Sequence, residues 1–327
     1  MGPNDQIIDE AMALAALPRR TFGAHKWGVG GLVIVAGAPN FLGAAVLCAQ
    51  AAGRVGAGIV NVALPLRLAS SLALTVPEAA TIPLPEGESG SVGRSAIGLI
   101  APKLEQSVAL LIGPGLGQDE TSDALLSALF GFAGTRGTIG FGVGRQDDPA
   151  ASGGLIGQVE RPLVIDADGL NWLAKQDRWW ERLPRQRAIL TPHVGEMGRL
   201  LGVEPAEIIA DPVETTRQAA LLWGQVVTLK YGYSVVSDGE RCLVAPDAPL
   251  SLATAGTGDV LAGTIAGFLA QGVEPMAAAA LALFVGGRAA RRVERRTGVL
   301  GLVAGDLPLA LAEELAVLEA GAGVSGG

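Results

Sequence analysis

The chain has 327 residues and carries 32 acidic against 24 basic side chains, for a net charge of −8 at pH 7. That balance excludes a general electrostatic pull toward nucleic acid or an anionic membrane and leaves room only for a local basic pocket. Hydrophobic residues at 49%, a mean hydropathy of +0.40 and 47 glycines beside 4% aromatics describe closely packed layers with many tight turns rather than a disordered chain.

The N-terminal MGPNDQIIDEAMALAALPRR places acids ahead of its basic pair and lacks the basic start and cleavable apolar run of a signal peptide. Residues 1–16 read as a leader segment. GLVIVAG, Gly31 to Gly37, is a buried strand running into the turn APN; the small-residue run Leu42 to Gly58 is a helix, and Ile59 to Pro65 the next strand. Ser107 to Gly117 repeats the pattern with a Gly-Pro-rich turn and a following helix. Phe130 to Glu160, rich in Gly, Asp and Ser, reads as an irregular insertion. Arg161 to Ala174 and Arg187 to Gly202 are strand–turn–helix units tipped by DADG and TPHVGE. Gln225 to Pro246 holds two β-rich runs separated by SDG, which predicts an antiparallel pair near the sheet edge. Helices follow over Val260 to Gln271, Pro275 to Val293 and around Leu307 to Leu318, with 321–327 as a tail.

Cys48 and Cys242 lie in apolar runs without a CxxC pair, which predicts reduced thiols in a cytoplasmic protein and no structural zinc, a disulfide between them being the lesser alternative. No membrane-spanning segment is expected, since the longest apolar run follows Asp259 and is laced with glycine.

Strands alternating with helices imply an α/β layer architecture whose ligands bind at the carboxyl ends of the parallel strands. APNFLGA, GPGLG, DADG and TPHVGE stand there. Neither a GxGxxG turn after the first strand nor a phosphate loop ending in GK[ST] is present. ATAGTGDVLAGTIAG, Ala253 to Gly267, sets Asp259 among small residues at a helix start, where backbone N–H groups and the helix dipole make an anion site. Asp259 can cap that helix or act as a general base beside a phosphate; the segment alone leaves both open. Ala262, Gly263, Ala266 and Gly267 recur at helical spacing and read as close packing. Asp166 and Asp168 fit turn or cap duty as well as chemistry, and His193 and Glu196 mark the next tip. Lys230 fits a phosphate contact or an ordinary strand-end charge. No His, Cys and Asp set has metal-cluster spacing, so the expected metal is Mg²⁺ held by phosphate, water and a carboxylate, its protein ligands unassigned.

The ordered set beginning with LPRRTFGAHKWG at Leu17 and GLVIVAGAPNFLGAA, and continuing through LLIGPGLG, PLVIDADGLNWLA, ILTPHVGEMGRLLG, VVTLKYGYSVV, LATAGTGDVLAGTIAGFLAQG and AGDL at Ala304, resembles the NAD(P)H-hydrate dehydratase family. That family sits among the ribokinase-like small-molecule kinases, and GTGD alone would indicate only that wider group. The resemblance implies a ribokinase-like three-layer α/β/α sandwich over residues 17–320, with a mostly parallel central sheet and an antiparallel edge. It also implies use of ADP, or in related members ATP, to phosphorylate the hydroxyl of the S epimer of hydrated NADH or NADPH, after which phosphate is eliminated. Asp259 would be the base and the Ala255, Gly256, Thr257 and Gly258 backbone the anion hole. Ala44, Gly117, His193 and Asp259 would contact the hydrated dinucleotide. Lys230, Tyr231, Gly232, Tyr233, Ser234 and Gly258 would contact the AMP part of the nucleotide.

Three departures stand out. HKWGVG puts Trp27 and Gly28 where the family has a small residue and an acid, LKYGYS puts Tyr231 at a glycine position, and Val285-Gly286 replaces a His-Gly. Small-residue helix faces and the resemblance suggest a homotetramer. A start almost directly at the dehydratase segment leaves no room for an epimerase domain, so the expectation is a functional link to a separate epimerase. Two other readings compete: an ATP-dependent kinase of a small molecule, which would stop after phosphoryl transfer, and a non-catalytic nucleotide-binding protein, motivated by Trp27 and Tyr231.

Overall fold

Short runs of branched aliphatic residues become the strands. They are β1 Gln6–Ile7, β2 Gly31–Val35, β3 Ile59–Pro65, β4 Ala80–Leu84, β5 Ala109–Ile112, β6 Leu163–Ile165, β7 Ala188–Leu190, β8 Val226–Leu229, β9 Val235–Ser237 and β10 Cys242–Val244. The computed structural model describes residues 5–20, 22–87, 92–132, 154–245 and 248–322. Most of the insertion expected between Phe130 and Glu160, and the tail beyond Ala322, lie outside them.

One sheet holds the strands in the order β1-β10-β9-β8-β7-β6-β5-β2-β3-β4. From β4 to β8 every pairing is parallel, then β8–β9 and β9–β10 are antiparallel. The expected single antiparallel pair is thus a run of three strands, with β1 added in parallel as the outermost. β2 shows why the interior strands lack polar alternation: Leu32 and Ile34 join one core and Val33 and Val35 the other. Helices cover both faces, as in a three-layer sandwich. β4 escaped the sequence reading because Pro83 interrupts it, which is tolerated there because β4 is an edge strand.

The Thr257–Ala270 helix packs backbone to backbone on the Leu42–Arg54 helix. A Cβ on Gly263 would fall 2.4 Å from Cys48 O, and one on Gly267 2.5 Å from Val55 Cγ2. This confirms the packing role of the small-residue face. It also consumes that face within the chain, so it lends no support to a tetramer. Both cysteines are free and buried. Among the described residues no helix is long and apolar enough to cross a membrane.

HKWGVG lies at the amino end of β2, where His25 caps the short Lys26–Val29 helix by accepting from Gly28 N–H at 3.2 Å. The tips singled out above lie at the opposite, carboxyl ends of the strands.

Candidate active site

At the end of β6 the chain turns through Ala167, a non-glycine residue with φ +50°. Such a conformation costs of order 1–3 kcal/mol and persists only where its surroundings enforce it. Here it separates two carboxylates. Asp166, 1% exposed, turns to Lys230, whose Nζ donates to its Oδ1 at 2.7 Å. Asp168 accepts from Gly117 N–H at 2.9 Å and from Gln118 Nε2 at 3.0 Å. Asp168 therefore ties the GPGLG loop to the next strand, and neither aspartate is a simple cap. The loop needs its glycines: a Cβ on Gly113, which has φ +122°, would sit 1.9 Å from Asp166 O. One on Gly115 would meet Phe41 Cβ at 2.7 Å and Ala44 Cβ at 3.0 Å, so GPGLG rests on the FLGAA segment.

Lys230 follows β8, and its own N–H donates to Pro192 O at 2.8 Å. Burial opposes its charge, but Asp166, Glu196 and Asp259 outweigh that and hold its affinity for the proton above the ordinary lysine value. Glu196 Oε2 lies 3.9 Å from Lys230 Nζ and accepts from His193 N–H at 2.9 Å. Burial, then Asp166, raise Glu196 to about 7, with Lys230 pulling the other way. His193 Nδ1 accepts from Gly195 N–H at 2.9 Å and from Glu196 N–H at 3.3 Å. With Nδ1 used as an acceptor, the ring proton is assigned to Nε2, making neutral His193 a hydrogen-bond donor rather than a base. Burial, Lys230 and Arg199 keep it neutral by lowering its pKa.

Asp259 is not the helix cap. The helix begins at Thr257, three residues before the expected start, with Gly256 in the cap position at φ +90° and no side-chain cap. A Cβ on Gly256 would strike Leu47 Cδ1 at 2.7 Å and Ala304 Cβ at 3.0 Å, so turn geometry and packing require this glycine. Gly258 is different: a Cβ there would lie 3.5 Å from Lys230 Nζ and 4.0 Å from Asp166 Oδ2, facing the ion pair. The half-buried Asp259 carboxylate receives no hydrogen bond among the described residues. Burial, then Asp166, raise it to about 6, against the pull of Lys230. The N–H groups of Ala255, Gly256, Gly258 and Asp259 also lack acceptors among the described residues, while that of Thr257 is directed to Thr254 O at 3.4 Å. A carboxylate without donors beside a row of free N–H groups at a helix N-terminus can take a proton next to an anion.

Beside this centre opens a cavity of about 610 Å³, lined by His193, Lys230, Tyr231, Gly232, Ser234 and Gly258 among others. Of the residues expected around AMP, only Tyr233 is absent from its wall; it stands edge-on to Tyr231, with ring centroids 5.7 Å apart. Of the residues expected at the hydrate, Ala44 and Gly117 lie outside the cavity wall, whereas His193 is part of it. Sequence reasoning missed the apolar wall of Pro249, Leu250, Leu252 and Leu261, and the Gly286-Gly287 pair. Two glycines inside a long helix cost stability, and nothing lies within 4 Å of a Cβ on either, a signal that they keep space open. Among the described residues no three His, Cys, Asp or Glu side chains are grouped to hold a metal ion. Asp166 Oδ2, the oxygen that Lys230 does not occupy, suits a cation that takes few protein ligands and completes its shell with phosphate and water, as Mg²⁺ does.

The sequence profile described as NAD(P)H-hydrate dehydratase matches residues 32–132 and 137–313. An ADP-dependent (S)-NAD(P)H-hydrate dehydratase of Xanthomonas campestris is 31% identical over 94% of this chain and 95% of its own length. A bifunctional NAD(P)H-hydrate repair enzyme of Salinibacter ruber is 40% identical over 91% of this chain and 50% of its own. The chain spans about half the length of several curated relatives it matches. In fold it is similar to the ADP/ATP-dependent NAD(P)H-hydrate dehydratase of Bacillus subtilis co-crystallized with ATP/Mg²⁺, with a TM-score of 0.75 and 24% identity over 97% of this chain and 100% of that one. It is also similar to a ribokinase-like superfamily protein of Enterococcus faecalis, with a TM-score of 0.77 and 20% identity over 97% and 98%.

Proposed function

The chain belongs to the NAD(P)H-hydrate dehydratase family, and on that premise we propose that it dehydrates the S epimer of hydrated NADH and NADPH, consuming ADP and releasing AMP and phosphate. The observation that carries the reading is the donor-free carboxylate of Asp259 beside the unpaired N–H groups of Ala255, Gly256 and Gly258. The approximately 610 Å³ cavity suits the nucleotide, and the Ala44 and Gly117 segments outside it, with His193 at the cavity wall, suit the hydrate.

Water leaves a hydrated nicotinamide ring poorly, and phosphate leaves it well. Asp259 takes the proton of the ring hydroxyl as that oxygen attacks the terminal phosphorus of ADP. The bond to the bridging oxygen breaks, and AMP departs with the electron pair. Free N–H groups and Lys230 stabilise the charge on the transferring phosphoryl group, with Asp166 holding the ammonium in place. The ring nitrogen's electron pair then expels phosphate, a proton leaves the adjacent carbon, and the double bond is restored. Mg²⁺, when bound, would screen the phosphate charge; Asp166, through the Oδ2 that Lys230 leaves free, is the residue that would hold it, so that Asp259 stays available as the base. His193 donates from Nε2 to the hydrate, while Tyr231, Gly232, Tyr233 and Ser234 surround the AMP portion. Residues 17–320 form the catalytic unit of a cytoplasmic homotetramer.

The decisive measurement is absorbance of NADH formed from its hydrate with ADP and with ATP in parallel. NADH with stoichiometric AMP and phosphate supports the reading. Accumulation of a phosphorylated alcohol instead makes the protein a kinase and removes the dehydratase function.

A further inference from the structure

Arg199 stands in the last turn of the Val194–Leu201 helix, exposed to solvent. A positive charge there complements the helix dipole, and any cation would serve that purpose. Arg199 is held more specifically. Its Nε donates to Asn171 Oδ1 at 3.0 Å, from the helix that begins at Asp168, the residue that ties down Gly117. A Cβ built on Gly195 would lie 3.8 Å from Arg199 Nη1 and 2.9 Å from His193 Cε1, so guanidinium and imidazole stand over the same glycine. Arg67, Arg178, Arg217, Arg241, Arg288 and Arg292 each pair with a carboxylate. Arg20, Arg161 and Arg182 lack a carboxylate but spend an Nη on a backbone carbonyl; Arg199 has no carboxylate partner, and neither of its Nη groups has a hydrogen-bond partner, among the described residues. It also lies outside the wall of the cavity beside Lys230.

A fixed guanidinium with its fork unspent is suited to a phosphate, which it meets with two parallel hydrogen bonds. His193 is part of the wall of the cavity proposed for ADP, but Arg199 and Asn171 are not, and Asn171 lies on the helix whose Asp168 holds Gly117, so the phosphates available to Arg199 are those of the dinucleotide. We infer that Arg199 binds a phosphate of the hydrated dinucleotide, with Asn171 as its positioning residue; this rests on the dehydratase reading above.

Two measurements on the full chain test it: steady-state kinetics with hydrated NADPH and ADP varied separately, and equilibrium binding of NADPH, which needs no turnover. For Arg199→Gln, the expected result is a KM for the hydrate raised about tenfold, and NADPH binding weakened equally, while the KM for ADP stays within about twofold. Arg199→Lys, keeping charge but losing the fork, should fall between, and Asn171→Ala should weaken NADPH binding with little change in Tm. A wild-type protein that binds NADPH in an Arg199-dependent way but does not convert the hydrate would refute the dehydration reaction and leave this contact standing. Unchanged NADPH binding in Arg199→Gln, a rise confined to the KM for ADP, or no NADPH binding by the wild type would overturn the inference.

Discussion

The two rims of the sheet both carry glycine-rich motifs, yet they differ in the polar groups left beside them. At the amino rim, a Cβ on Gly30 would lie 1.7 Å from Ala270 O and one on Gly58 2.2 Å from Lys26 O. There glycine lets backbones touch, and His25 spends its ring on the Gly28 N–H. At the carboxyl rim, Gly258 faces Lys230 and Asp166 at ordinary contact distance, and the neighbouring N–H groups and Asp259 have no partners among the described residues. Both rims hold packing glycines, Gly113, Gly115 and Gly256 among them at the carboxyl rim; what marks the chemical rim is the spare hydrogen-bonding capacity around Gly258 and Asp259. Trp27 belongs to the amino rim, half exposed and remote from the strand-end tips. Its departure from the family pattern therefore gives no support to a non-catalytic protein.

The comparison can be broken most directly at Asp259. Asp259→Asn should lower kcat about a thousandfold, the scale of a lost general base, with an unchanged circular dichroism spectrum. Retained turnover would remove the base assignment. Next comes a pair of identical substitutions on the two rims. Gly258→Ala adds a methyl beside Lys230 where phosphate would approach, and should cut kcat by about ten- to a hundredfold while Tm barely moves. Gly58→Ala should do the reverse, destabilising by about 1–3 kcal/mol with kcat per folded molecule preserved. Equal effects on both properties at both sites would mean that the rims do not differ.

pH sharpens the same contrast. With Asp259 raised to about 6, kcat/KM should fall about tenfold per pH unit below that value as the base is protonated. Stability has the opposite sign. A carboxyl whose folded pKa exceeds its unfolded one binds a proton first in the native state, so its charged form costs stability above about pH 6. That cost is relieved as pH falls toward the ordinary aspartate value of 3.8. Asp259→Asn should thus raise Tm by a few degrees at pH 8 and lose the gain near pH 4, measured by calorimetry. The smallest effect is expected from Trp27→Gly, which should leave kcat and both KM values within about twofold.

Much of this was legible in the chain. Apolar runs ending in GPGLG, DADG and TPHVGE located the strand ends, because a buried parallel strand needs continuous apolar residues and its loop does not. The Gly-rich start of the Thr257–Ala270 helix was equally plain, though its first turn was read three residues late because Gly and Asp do not announce helix. Other features depend on neighbours distant in sequence. β4 reads poorly because of Pro83, and β1 is too short to show a period. The cavity wall joins the 249–252 segment to two helices and the β8–β9 turn.

By itself, then, the order of residues determined the α/β alternation and the positions of the glycine turns, since these follow from local patterns of polarity and side-chain size; its ordered motifs carried the resemblance that implied the family and the candidate base. Only the tertiary structure decided that Asp166 neutralises Lys230, that Asp168 braces Gly117, that Asp259 is left without a donor, and that Arg199 stands unpaired beside His193. The physical reason is that a charge's role depends on what surrounds it. Burial and the nearest partner set its protonation and its availability, and chain folding brings those neighbours from strands many residues away.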